Sequence, residues 1–275
     1  MTTKPIICPK CGRLIGSSES SCSWCGTSRP PAWLARFGSR GALNGEWLIK
    51  TVITVNVAFY IITLLVSSRD GGGLLGALSP DRSALLFLGA TGTVPVAELG
   101  RTWSLITANY LHGGILHILF NMMALRQLAP LVNLEYGTNR MFVIYTLGGV
   151  FGFWISCLAG VPFTIGASAA VCSLIGSLLY FGKSRGGTYG AAVFRDVSGW
   201  IAGLAIFGFL VPGINNWGHG GGIAGGIILG MVLKYKERGQ ETVLHRILAL
   251  ACALVTAGAL GWALITGILF RFGSS

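Results

Sequence analysis

The feature that most limits what this chain can fold into is a succession of apolar runs, most of them about twenty residues long. About 20 helical residues span about 30 Å, the thickness of a bilayer's hydrocarbon core. Inside that layer no water is available to bond free N–H and C=O groups, so a crossing segment must satisfy its own backbone, as a helix does. Charged residues make up 11% of the chain, against about 25% in soluble domains. The sequence therefore predicts an all-α polytopic membrane protein. Spans are predicted over residues 47–66, 114–132, 140–161, 168–182, 199–212, 217–233 and 247–270, seven in all. Between the first two, residues 67–111 are long and mixed. Their apolar pieces, 85–88 and 94–97, are too short to cross and are predicted to lie at the interface. The 42 glycines imply close helix–helix approach, since small residues let backbones meet in lipid.

The formal charge of +11 is distributed in loops and at helix ends rather than in one patch, which argues against a nucleic-acid partner. Lys183, Arg185, Lys234, Lys236, Arg238 and Arg246 fall on the same side as the N-terminus, whereas Arg69, Arg82, Arg101 and Arg271 fall on the other. By the positive-inside rule the N-terminus is cytoplasmic, in the cell or inner membrane.

Ahead of the first span, Cys8-Pro9-Lys10-Cys11-Gly12 and Cys22-Ser23-Trp24-Cys25-Gly26 form two CxxCG knuckles. A glycine after the second cysteine lets backbone N–H groups face the sulfurs. Four thiolates so spaced predict a tetrahedral structural Zn²⁺ site on Cys8, Cys11, Cys22 and Cys25, with metal binding supplying folding energy to a segment too small for its own core. Iron and a pair of disulfides are the competing readings, and a reducing cytoplasm favours zinc. Residues 1–28 are accordingly assigned to a zinc ribbon, 29–46 to a linker and 47–275 to the membrane domain. The ribbon has no open coordination position for chemistry, which suits a structural role or docking to a cytoplasmic partner.

With the N-terminus inside, spans two, four and six all begin on the outer side. His112, His117 and Asn121 fall near the start of span two, Ser168 opens span four, and His219 lies near the start of span six. Each has an ordinary reading: small-residue packing for the serine, interhelical hydrogen bonding for His117 and Asn121, and a packing face for Gly222, Gly226 and Gly230. Together they supply a nucleophile, a base in the right titration range, and oxyanion donors at a helix N-terminus. Glu135 and Asp196 fall at cytoplasmic ends, so a Ser-His dyad is the most the residues support. A transporter lining its pathway with these groups is disfavoured, because they cluster at one depth.

Leu111-His112-Gly113-Gly114-Ile115-Leu116-His117-Ile118-Leu119-Phe120-Asn121-Met122 resembles the second-helix motif of rhomboid intramembrane serine proteases. Gly166-Ala167-Ser168 is similar to their nucleophile motif and Gly218-His219-Gly220-Gly221 to their histidine motif; Glu135-Tyr136-Gly137-Thr138-Asn139-Arg140 is similar to the stretch after their second helix. The resemblance implies a rhomboid-like six-helix core plus one C-terminal transmembrane helix. It implies a serine endopeptidase cleaving transmembrane segments of membrane proteins, with Ser168 as nucleophile, His219 as base, and His117, Asn121 and the Ser168 N–H as oxyanion donors, without a cofactor for catalysis. The site would open to the outer face. A catalytically weak or inactive member that binds or escorts membrane clients is the alternative. Three positions depart from the family pattern: Ala169 follows the serine where glycine is common, Ser104 follows Trp103 where arginine is common, and Cys172 stands where an aromatic ring often supports the histidine. For the ribbon, metal analysis of reduced, purified protein is predicted to find one zinc per chain, lost on replacing Cys22 and Cys25 by Ser; metal-free reduced protein would overturn the assignment.

Overall fold

The computed structural model describes residues 6–7, 13–16, 19–26, 28, 45–67 and 76–272. The chain divides into two compact units, Met1–Leu43 and Asn44–Ser275. In the first, β1 (Ile6–Ile7) pairs antiparallel with β2 (Leu14–Ile15), Ile7 opposite Leu14. Cys8 and Cys11 lie outside the described residues. The second knuckle is closed by a bridge between Ser21 and Ser28, and Gly26 N–H donates to the Cys22 carbonyl at 2.9 Å. Gly26 has φ +68°, the left-handed conformation that favours glycine after a tight turn. Cys22 is buried and Cys25 half-buried. The Arg13 guanidinium stacks 4.6 Å from the Trp24 ring centroid. Glu19 accepts from Gly16 N–H at 2.8 Å, and that bond holds its carboxyl below the usual carboxylate range. Among the described residues no three metal-ligating side chains gather.

The second unit is helical. Its long helices among the described residues are α1 (Gly45–Val66), α2 (Ile115–Tyr136), α3 (Thr138–Leu158), α4 (Ser168–Arg185), α5 (Gly187–Leu210), α6 (Asn216–Leu233) and α7 (Val243–Phe272). The expected linker thus stops short of Gly45 and Glu46, which already belong to α1; Glu46 pairs with Lys50 one turn on at 2.6 Å. Among the described residues five helices are long and apolar enough to cross a membrane: α1, α2, α3, α5 and α7. The remaining two, α4 and α6, have 18 residues each. They form the centre of the unit, so they need less lipid-compatible surface than the helices around them.

Glycine sets how close that centre packs. A Cβ on Gly226 would fall on the Ser173 carbonyl, and one on Gly176 on the Ile223 carbonyl. A Cβ on Gly222 would lie 3.0 Å from Cys172 Cβ, and one on Gly230 3.2 Å from Ser177 Cα. The partners advance by four residues on both helices, so α4 and α6 run parallel in register. Their third neighbour is α3, which runs antiparallel: a Cβ on Gly152 would sit 2.7 Å from the Gly218 carbonyl and 3.1 Å from Ala169 Cβ. Without a hydrophobic force between helices in lipid, this van der Waals fit is a main source of association.

The segment between α1 and α2 is more structured than its mixed composition suggests. It holds short helices at Arg82–Phe87 and Ser104–Thr107, a π-helical turn at Val94–Glu98 and a 3₁₀ turn at Ala108–Tyr110. Asp81 caps the first of these by accepting from Ala84 N–H at 2.7 Å. The segment is pinned to the loop ahead of α4: Thr91 and Thr164 exchange backbone hydrogen bonds of 3.0 and 2.7 Å, and Gly166 N–H donates to the Ala108 carbonyl at 2.8 Å. The fifth helix begins at Gly187 rather than near residue 199, because Arg195 and Asp196 lie on its exposed side and do not interrupt it.

At the opposite end, Arg140 is fully buried and its guanidinium donates to the carbonyls of Leu233, Lys234 and Gly239. Glu241 accepts from the backbone N–H groups of Asn139 and Arg140 at 2.9 and 3.1 Å, capping α3 from the segment that leads into α7. Replacing Gly226 by Ala is predicted to cost about 1–3 kcal/mol through overpacking, whereas Gly258→Ala, where a Cβ meets nothing within 4 Å, stays within about 0.5 kcal/mol. Thermal unfolding in detergent checks the pair.

Candidate active site

Ser168 is the first residue of α4, half-buried, behind Ala167. The first backbone N–H of that region to find an acceptor one turn back is Val171's, on the Ala167 carbonyl at 2.9 Å. The N–H groups before it therefore remain available at the helix mouth. The turn into the helix is made by Gly166, φ +120°, and glycine is needed there on two grounds. A side chain disfavours that φ, and a Cβ would lie 2.6 Å from His117 Nε2 and 3.7 Å from Ser168 Oγ. The same bare backbone position thus sits between the His117 ring and the serine hydroxyl.

His117 Nδ1 accepts from Gly113 N–H at 3.3 Å. An imidazole nitrogen that accepts carries no proton in the neutral ring, so the proton is on Nε2, facing the space over Gly166. Asn121 is buried one turn deeper and donates one amide hydrogen to the His117 carbonyl at 2.9 Å, which leaves its second for another acceptor. His112 is fully buried and packs edge-on against His117, ring centroids 5.1 Å apart.

His219 lies in the first turn of α6, half-buried, with its backbone N–H on the Asn215 carbonyl at 3.1 Å. The parallel register brings it to the level of Ser168, since Gly222 one turn on packs against Ala169 and Cys172. Its Nδ1 is buried and finds no hydrogen-bond partner among the described residues. Glu135 is bound instead to Tyr189 Oη at 2.7 Å, at the far end of the bundle, and Asp196 is exposed beside Arg195. The geometry thus contains a serine, a histidine and two further donors at one mouth, with no carboxylate against the histidine among the described residues.

The three departures from the expected pattern each find a place. The Ala169 methyl packs where Gly152 leaves room for it. Ser104 is buried and donates to Thr91 Oγ1 at 3.0 Å. Cys172 is wedged between α4 and α6 at Gly222, 1% exposed, and lines no cleft. Asn215 is a site residue that the motif reading passed over. Its side chain caps α6 through Gly218 N–H at 2.9 Å, a role that an Asn ahead of an apolar helix does announce. Its other bonds, to Ser156 Oγ at 2.6 Å and Thr164 Oγ1 at 2.9 Å, join residues far apart in sequence and carry no local signal.

A family model described as Rhomboid domain matches residues 99–236, from the end of the long first connection through α6. The chain belongs to the rhomboid family and is a multi-pass integral membrane protein. It is 30% identical over 206 residues to RHOMBOID-like protein 4 of Arabidopsis thaliana, covering 68% of this chain and 52% of that protein. It is likewise 30% identical over 200 residues to Rhomboid protease GluP of Bacillus subtilis (strain 168), covering 72% of this chain and 38% of that one. Inactive RHOMBOID-like protein 8 of Arabidopsis thaliana is 26% identical over 164 residues, covering 52% of this chain and 46% of that protein. The match therefore spans about half or less of each of these relatives. From the packing at Gly222, Cys172 is predicted to resist maleimide in the folded protein and to react once the chain is unfolded in SDS. Mass spectrometry reads the difference, and native labelling would show the α4–α6 seam to be open.

Proposed function

We propose that this protein is an intramembrane serine endopeptidase acting on transmembrane segments of membrane proteins through a Ser168–His219 dyad. The observation that carries the reading is the parallel, glycine-locked register of α4 and α6, which brings Ser168 and His219 to one mouth with His117 Nε2 across Gly166. Ser168 Oγ attacks the scissile carbonyl while His219 takes the hydroxyl proton. The tetrahedral oxyanion is met by the Ser168 N–H, the His117 Nε2–H and the free Asn121 amide hydrogen, donors already held in place. His219 then gives its proton to the leaving amine, and water hydrolyses the acyl-enzyme in the reverse sequence. Ser168 and His219 share no hydrogen bond in this structure; such bonds commonly tighten only when substrate is bound.

Substrate access is supported by α5, of which only Gly190, Val193 and Val197 are buried. Near the site, Phe207 of α5 meets Phe120 of α2 edge-on at 6.3 Å, and Asn216 Nδ2 donates to the Gly208 carbonyl at 3.0 Å. Past Val197 α5 buries no residue, and that half is the part a substrate segment could displace. Peptide bonds in a regular helix are shielded by their own hydrogen bonds, so segments that unwind easily are the preferred substrates. We place the N-terminus in the cytoplasm on the loop charges. The N-terminal unit is read as a zinc ribbon on Cys8, Cys11, Cys22 and Cys25; the Gly26 turn and the Ser21–Ser28 bridge around the second knuckle support it. Bound there, the metal supplies folding energy and no catalysis.

A fluorophosphonate is predicted to label purified protein at Ser168. Ser168→Ala and His219→Ala are predicted to abolish cleavage of a reporter transmembrane segment at unchanged expression, and Asn121→Ala to lower kcat by roughly 10–1,000-fold, the cost of one oxyanion donor. Absence of labelling in folded wild-type protein would leave the client-binding reading instead.

A further inference from the structure

Resting on the reading of Ser168 and His219 as the reacting pair, we propose that Asn215 is a positioning residue that sets the distance between them by clamping the histidine helix to the serine loop. The bonds around it separate this role from helix capping. Asn215 Oδ1 accepts from Gly218 N–H at 2.9 Å, which any good N-cap residue provides. Its Nδ2 donates to Thr164 Oγ1 at 2.9 Å, four residues before Ser168, and to Ser156 Oγ at 2.6 Å in α3. The orientation of the amide is determined: Gly218 N–H requires an acceptor, so the oxygen faces it and both amide hydrogens face the hydroxyls. All three polar positions of one side chain are then used, each on a different element.

Each partner is itself anchored. Ser156 is fully buried, and its carbonyl accepts from Val161 N–H at 3.1 Å, where the serine loop leaves α3. Thr164 is buried and exchanges two backbone bonds with Thr91, whose hydroxyl accepts from Ser104. Asn215 also holds the next turn of α6 through its own carbonyl, which accepts from His219 N–H at 3.1 Å. A displacement of the serine loop relative to α6 therefore breaks the Asn215 bonds first. Below this level the two helices are held by glycine packing; at the mouth, where Ser168 and His219 stand, Asn215 is the polar link across the gap.

The test uses full-length protein in detergent and reads three rates. Asn215→Ser keeps a capping oxygen but is too short to reach Thr164 and Ser156, whereas Asn215→Asp accepts from Gly218 N–H and from both hydroxyls. Fluorophosphonate labelling of Ser168 is expected to slow roughly 10–100-fold in Asn215→Ser, the scale of a small misplacement of reacting groups, and to recover in Asn215→Asp. With a reporter segment, kcat is expected to fall while KM holds. Thr164→Val breaks the same link from the loop side, so the double variant is expected to be no slower than the slower single one. Wild-type labelling in both single variants, or additive effects in the double, would overturn the proposal. Diethylpyrocarbonate modification of His219 supplies a readout independent of catalysis, expected to be faster in Asn215→Ser than in wild type. If wild-type protein is not labelled at Ser168, the protease reading fails, and the His219 modification rates alone decide the clamp: faster modification in the variant sustains it, and equal rates sink it.

Discussion

The arrangement depends on how closely α4 and α6 can approach. Lipid tails are as apolar as leucine, so these helices gain nothing from leaving water and are held mainly by fit. Glycines at 222, 226 and 230 remove the side chains that would separate them, and Gly176 does the same from the other helix. Spacing by four keeps those positions on one face of each helix, and matched spacing keeps the pair parallel and in register. A serine and a histidine placed near the two N-termini must then arrive at the same level. The placement of these two side chains is a consequence of the seam.

The two ends of the unit solve different problems with polar groups. At the mouth, the backbone leaves helical geometry for the loop 161–167; its Thr164 and Gly166 N–H groups donate to the Thr91 and Ala108 carbonyls, and the Thr164 hydroxyl accepts from Asn215. That network makes the loop rigid without sealing it, so Ser168 stays half-exposed. At the other end, a buried guanidinium would be costly if left unpaired. Arg140 instead satisfies three carbonyls at the end of α6 and the turn beyond it, while Glu241 closes the start of α3. The bundle is thus tied at both ends and packed by glycine between them, with the part of α5 past Val197 left unburied.

The departures at Ala169, Ser104 and Cys172 show how a local pattern can understate its context. Each looks like the loss of a feature when read against a motif. In the fold, Ala169 fills space that Gly152 vacates, Ser104 joins the anchorage of the serine loop, and Cys172 belongs to the helix seam. None of these partners is near in sequence.

Much of the protein was determined by sequence alone, because its signals are local and strongly periodic. Apolar runs of bilayer length imply helices, and the alternation of spans puts the starts of α2, α4 and α6 at one side, with His117, Ser168 and His219 beside them. The spacing of Gly222, Gly226 and Gly230 already marks a packing face. Some element bounds, as at Gly187, were less legible, since charged residues on an exposed helical side look like a loop. What only the tertiary structure decided is which groups face each other: Gly166 between His117 and Ser168, Gly152 behind Ala169, and Asn215 between Thr164 and Ser156. Most of these pairings join positions on different elements, and composition and periodicity hold no record of a contact until the helices are packed.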